Sequence, residues 1–129
     1  MEQEFRALLT GSAAVTTIAP AASINWGDAP QGTSLPYVVL HLIGNRDELH
    51  LTDRTWLFDG RVQVDCYAST PKAAITLGDT IRDLLQGYTS GGFHVIEHDS
   101  TRGPRREAGT NDAARPYLRS MDFNTFWSE

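Results

Sequence analysis

The sequence predicts an α+β domain: a mainly antiparallel sheet of about four to five strands, two helices packed on one of its faces, and an extended hairpin or loop arm. Three observations carry this. Residues Arg61 to Ala68 alternate between apolar (Val62, Val64, Cys66, Ala68) and polar or aromatic (Arg61, Gln63, Asp65, Tyr67), the period of a strand with one covered face. A helical pattern follows at once, with Ala73, Ala74, Leu77, Ile81, Leu84 and Leu85 on one side. Strand-like segments also outnumber helical ones, and several follow one another directly.

In chain order, Phe5, Leu8 and Leu9 have helical spacing within Met1 to Thr10, and Gly11 ends that helix. A second short turn is expected over Ser12 to Thr17, capped by Ser12. Pro20 to Pro36 is rich in Ala, Gly, Pro and Ser and reads as irregular, with a short strand at Ile24 to Trp26. Tyr37 to Ile43 is aliphatic, β-branched and nearly continuously apolar, which reads as a strand covered on both faces and ended by Gly44. Asn45 to Asp59 is polar and fits either an exposed hairpin arm or a long loop. In the main helix Thr70 is the expected N-cap, Pro71 occupies the first turn where its missing N–H costs nothing, and Gly87 caps the end. Beyond Gly91-Gly92, Phe93 to Asp99 and Tyr117 to Trp127 read as an antiparallel pair, with Tyr117, Met121, Phe123 and Trp127 on one face. Ser100 to Arg115, almost without apolar residues, reads as a long arm between them.

The chain's 129 residues suit one domain over 1–129. Sixteen acids against eleven bases leave a formal charge of -5, which gives no overall attraction to nucleic acid or anionic lipid. A lone cysteine, Cys66, excludes a disulfide framework and a cysteine-rich zinc site. No apolar run approaches the ~20 residues needed to cross a bilayer, and Glu2 and Glu4 have the wrong sign for a secretory signal. The expectation is an intracellular domain that does not associate with membranes.

No catalytic constellation is evident. There is no Gly-x-Ser-x-Gly elbow, and Gly87 to Gly92 lacks a lysine and leads into a strand, so it is a turn and no phosphate cradle. His94 and His98 would span about 13 Å along a strand and cannot share an ion. His41 lies in an apolar strand, and His50 has no evident partner. Cys66 is on the apolar side of its strand, the place of a small buried hydrophobe; as a nucleophile it would need a nearby histidine. Asp65, with Arg61 on the same strand face, reads as part of a solvated surface or of a salt bridge between subunits. The expectation is no catalytic residue, no metal and no cofactor.

The one compositional feature above background is the arginine-rich arm. Arg102, Arg105, Arg106 and Arg115 against Glu107 and Asp112 give it +2, so the rest of the chain carries -7. Two readings stand: a solvated connection, or an arm whose planar guanidiniums fork onto carboxylates or phosphates of a partner. The acidic remainder argues against an extended phosphate track.

Three pieces of the chain resemble the tail-completion, or tail-terminator, family of long-tailed bacteriophages, prophages and gene-transfer particles. They are Phe5-Arg6-Ala7-Leu8-Leu9 with Ala13-Ala14-Val15; Gly32-Thr33-Ser34-Leu35-Pro36-Tyr37-Val38-Val39; and Arg61 to Ala68 running into Ala73-Ala74 and Ile81-Arg82-Asp83-Leu84-Leu85. Together they span most of residues 1 to 88. The last third matches only as a closing aromatic-rich strand, and the arginine arm has no place in the family pattern. The resemblance implies a non-enzymatic virion assembly protein. It would form a ring, a hexamer, with copies of itself on the end of the tail tube, stop tube growth and offer a docking surface to the head–tail connector or stopper. DNA would pass through the pore without specific binding, and no membrane would be involved. The protein would be found in the host bacterial cytoplasm during assembly and then at the head-proximal end of the tail. On this view Arg102, Arg105, Arg106, Arg115, Arg61 and Asp65 are the candidate contacts to a neighbouring subunit or tube protein. The alternatives are another head–tail junction component, an adaptor or stopper, or a small cytosolic α+β binding module or small enzyme that uses Cys66, His94 and His98.

Overall fold

The structure, a computed structural model, describes residues 1–30, 32–49, 56–106 and 116–128, with the side chains of 45–49 and 56–58 left aside. Its elements in order are helices α1 (Glu2–Thr10) and α2 (Ala13–Ile18), a 3-10 turn (Ala21–Ser23), strands β1 (Ile24–Trp26), β2 (Tyr37–Leu49) and β3 (Trp56–Ala68), helix α3 (Pro71–Leu85), and strands β4 (Phe93–Arg106) and β5 (Tyr117–Ser128). The helix ends follow the sequence signals. Ser12 Oγ accepts from the Val15 N–H, and Thr70 Oγ1 accepts from the Ala73 N–H at 3.1 Å, each satisfying an amide with no partner inside its helix. After α3, Gln86 is the C-cap and Gly87 takes the left-handed backbone (φ +78°) that turns the chain back toward β4.

The strands form one five-stranded sheet in the order β1-β2-β3-β5-β4. All neighbours are antiparallel except β1 and β2, which run parallel through Ile24/Val38 to Trp26/Leu40. The three helices cover one face, with α3 over β3, β5 and β4, and α1 over β1 beside α2 and α3. Phe5, Leu9 and Val15 from α1 and α2, and Leu77, Ile81 and Leu85 from α3, meet Val38, Leu40, Val62, Val64, Cys66, Ile96, Met121 and Phe123 from the sheet, all fully or almost fully buried. Pleating sends Arg61, Gln63, Asp65 and Tyr67 to the opposite face, which none of these three helices covers, so β2, expected to be covered on both faces, has helices on one only.

Two boundaries differ from the sequence expectation. The polar stretch after Gly44, open to a hairpin arm or a long loop, takes the hairpin form, and Gly44 does not end the strand. Strand β2 continues to Leu49 and pairs with β3 down to Trp56, with a register shift between Leu42 and Gly44, so Gly44 marks a bulge and not an end. This is the expected hairpin arm, and its residues 50–55, His50 among them, lie outside the described residues. The predicted arginine-rich arm is likewise strand in its first half, because β4 runs on through Arg102, Arg105 and Arg106. Its lack of apolar residues suits an edge strand, where charge and proline are tolerated. The remainder, 107–115 with Arg115, lies outside the described residues.

Candidate functional site

The helix-free face carries a connected polar network that runs across β2, β3, β5 and β4. At its centre Asp65, only 4% exposed, accepts from Ser120 Oγ at 2.6 Å and from Gln63 Nε2 at 3.0 and 3.1 Å, with His41 Nε2 at 3.2 Å. Ser120 in turn accepts from Arg102 Nη2 at 3.1 Å. Arg102 also forks onto Asp122, with Nη1 to Oδ2 at 2.9 Å and Nη2 to Oδ1 at 3.3 Å. Asp122 and the exposed Asp99 share Arg61 Nη2 at 3.0 and 2.8 Å. The register explains who meets whom. Gln63 stands opposite Asp122, Asp65 opposite Ser120, and Arg102 opposite Ser120, so partners come from adjacent strands about 5 Å apart.

Burial alone pushes the Asp122 carboxyl upward, but the hydrogen bonds and charges of Arg102 and Arg61 outweigh it and hold it below its ordinary value. A carboxyl lowered on folding stabilises the protein above the unfolded pKa of about 4, and that contribution is lost as pH falls through the folded value. Asp122→Asn is therefore expected to cost about 1–2 kcal/mol at pH 7, a figure kept small because both guanidiniums are well exposed. Urea titrations of the variant at a series of pH values should show a flatter decline below pH ~4 than the unchanged protein. Equal slopes would mean that Asp122 gains nothing from its arginines.

The structure engages Arg61, Asp65 and Arg102 within the subunit. Asp65 is buried, not solvated, and its partners are Ser120, Gln63 and His41 rather than Arg61. Four residues along a strand span about 13 Å, so Arg61 reaches the carboxylates of neighbouring strands first. Arg105 and Arg106 are exposed, and Arg106 stands over the Tyr117 ring at 5.6 Å. By register Arg105, opposite Leu118, belongs to the helix-free face, and Arg106, opposite Tyr117, to the other.

Cys66 is fully buried in the core, where burial pushes its thiol far up and makes it a poor nucleophile. It stands opposite Arg119, whereas His98 stands opposite Phe123, four residues further along β5 and about 13 Å away. His98 Nε2 is bonded to Thr101 Oγ1 and His94 Nε2 to Ser128 Oγ, at 2.6 and 2.7 Å. These residues therefore do not converge. Among the described residues no group of three His, Cys, Asp or Glu side chains is placed to hold a metal, and no helix is long and apolar enough to cross a membrane.

His41, Ser120, Asp122 and Asp99 belong to the network but do not stand out in the sequence. The alternation in Tyr117 to Trp127 does put Ser120 and Asp122 on the polar face. Which strand would lie beside them is non-local information that no single segment contains.

A family model described as "Tail completion protein gp17" matches residues 3–125. No curated protein matches the chain. Among solved structures, a chain of the "Virion of native gene transfer agent (GTA) particle" is similar with a TM-score of 0.63 at 15% identity, over 97% of this chain and 92% of that one. At that identity the likeness is one of fold.

Proposed function

Because the chain belongs to the tail completion protein gp17 family, a family of structural virion proteins and not of enzymes, we propose that it is the tail terminator of a phage-like particle. It is a structural component of the tail and associates with other virion proteins. On this reading residues 1–129 act as one domain, six copies close into a ring on the finished tail tube, tube polymerisation stops there, and the end face of the ring turned away from the tube receives the head connector or stopper. Assembly takes place in the bacterial cytoplasm, and the ring stays at the head-proximal end of the tail. The family match across residues 3–125 carries this reading.

The physical requirements agree with it. A ring needs a heterologous interface, two unlike surfaces on one subunit whose repeated rotation closes. This sheet has unlike edges, the short β1 on one side and the arginine-bearing β4 on the other. The network from His41 to Arg61 holds the helix-free face between them rigid by satisfying its charges internally. A net charge of -5 lets DNA pass without gripping it. Electron microscopy of the purified protein, alone and mixed with tail tubes, tests the proposal. Closed six-fold rings, free or seated on tube ends, are expected; monomers that leave tube ends bare would contradict it.

A further inference from the structure

The helix-free face holds a hollow of about 310 Å³ at its β1–β2 end, bordered by Asp28, Tyr37, Val39, His41, Tyr67 and Pro116. Its aromatic part is a stacked pair, Tyr37 on Tyr67, with ring centroids 4.8 Å apart and planes 24° from parallel. The exposed Asp28 adds a carboxylate at the rim. Aromatic faces beside a carboxylate suit a planar cation, because a guanidinium stacks on the ring and forks onto the acid.

The chain has such a cation at its opposite edge. Tyr37, Tyr67, Leu118 and Arg105 form one row across β2, β3, β5 and β4. Three strand spacings, about 14 Å, separate Tyr37 from Arg105 within one subunit, and Leu118 stands between, so Arg105 does not lie over its own tyrosine stack. Unlike Arg61 and Arg102, exposed Arg105 takes no part in the carboxylate network. The β4 edge is also unevenly covered. Up to His98 it is bonded to the turn after α3, through Gly87 N–H to Ile96 O (2.8 Å), Ile96 N–H to Tyr88 O (3.1 Å) and His98 N–H to Gln86 Oε1 (2.6 Å). From Ser100 to Arg105, among the described residues, no backbone hydrogen bond covers that outer edge.

We propose that the hollow receives Arg105 of a second copy of this chain, so that each subunit gives its β4 edge to the β1–β2 end of the next. The inference rests on the ring reading and specifies which surfaces meet. Donor and acceptor lie on opposite edges of one sheet, as a heterologous contact requires. The cation and the acid that complement each other are both present in a single subunit.

Charge reversal tests it, with assembly followed by analytical ultracentrifugation and fold by circular dichroism. The unchanged protein should form rings. Arg105→Glu and Asp28→Arg should each raise the concentration needed for assembly at least tenfold at unchanged melting temperature, and the double variant Arg105→Glu/Asp28→Arg should recover to within about threefold. If both single variants assemble like the unchanged protein, this pairing is overturned while the ring stands. If both form normal rings but Arg105→Glu no longer binds tail tubes, Arg105 contacts the tube protein, and the second copy is ruled out as occupant. If the unchanged protein stays monomeric in solution and on tubes, the pairing and the ring reading fail together.

Discussion

Replacing Phe123 by alanine is expected to cost about 4 kcal/mol of folding stability. Phe123 is fully buried on β5, stands opposite Val62, and has the His98 ring edge-on at 5.5 Å on its other side. Truncation would remove a large apolar side chain where α3 meets the middle of the sheet, and close packing leaves little room for neighbours to collapse into the space. For a chain this long the melting temperature should fall by roughly 15 °C. Phe123→Leu, which keeps most of the volume, should lose less than about 1.5 kcal/mol. Denaturant titration of both variants checks the contrast; similar, small losses would mean that the core is looser than described.

Gly103→Ala is expected to be nearly as damaging, for a backbone reason. Gly103 has φ +88°, and a Cβ built there would approach the Leu118 carbonyl oxygen to 2.5 Å. A non-glycine residue in that conformation costs about 1–3 kcal/mol, and the oxygen it meets is held in the β4–β5 ladder, so a total near 3 kcal/mol is expected. The position also matters for the proposed interface. From Arg102 to Arg105 the chain advances three residues while its partner moves only from Ser120 to Leu118. This bulge absorbs one residue and keeps both arginines on the helix-free face; without it they would point to opposite sides. The variant should therefore assemble poorly even at temperatures where it is still folded. Equilibrium unfolding together with sedimentation measures both effects, and a loss under about 0.5 kcal/mol would show that the bulge tolerates a side chain.

What the sequence made legible follows from how local each signal is. The caps at Ser12 and Thr70, the apolar face of α3 and the alternation in β3 are encoded within a few residues of where they act, and each is found where expected. Past Gly44 the sequence leaves a hairpin arm and a long loop equally open, and the continuation of β4 beyond Asp99 is hidden, because polar residues on an arm or an edge strand look like loop. Only their pairing with β3 and β5 makes them strand. The same applies to the charge network. Arg61 and Asp65 stand out as a pair because they are near in sequence, yet Arg61 binds Asp99 and Asp122, 38 and 61 positions away, and Asp65 binds Ser120, 55 positions away, beside its near neighbour Gln63. The pairing of Tyr37 with Tyr67 across two strands is equally invisible in either strand alone.

The most direct test of the terminator role is tail length in particles assembled without this protein, measured by electron microscopy. If the chain stops tube growth and joins the tube to the head, its absence should leave tubes of uncontrolled length beside tailless heads, and supplying the protein in trans should restore uniform joined particles. Tails of normal length attached to heads in its absence would contradict the account.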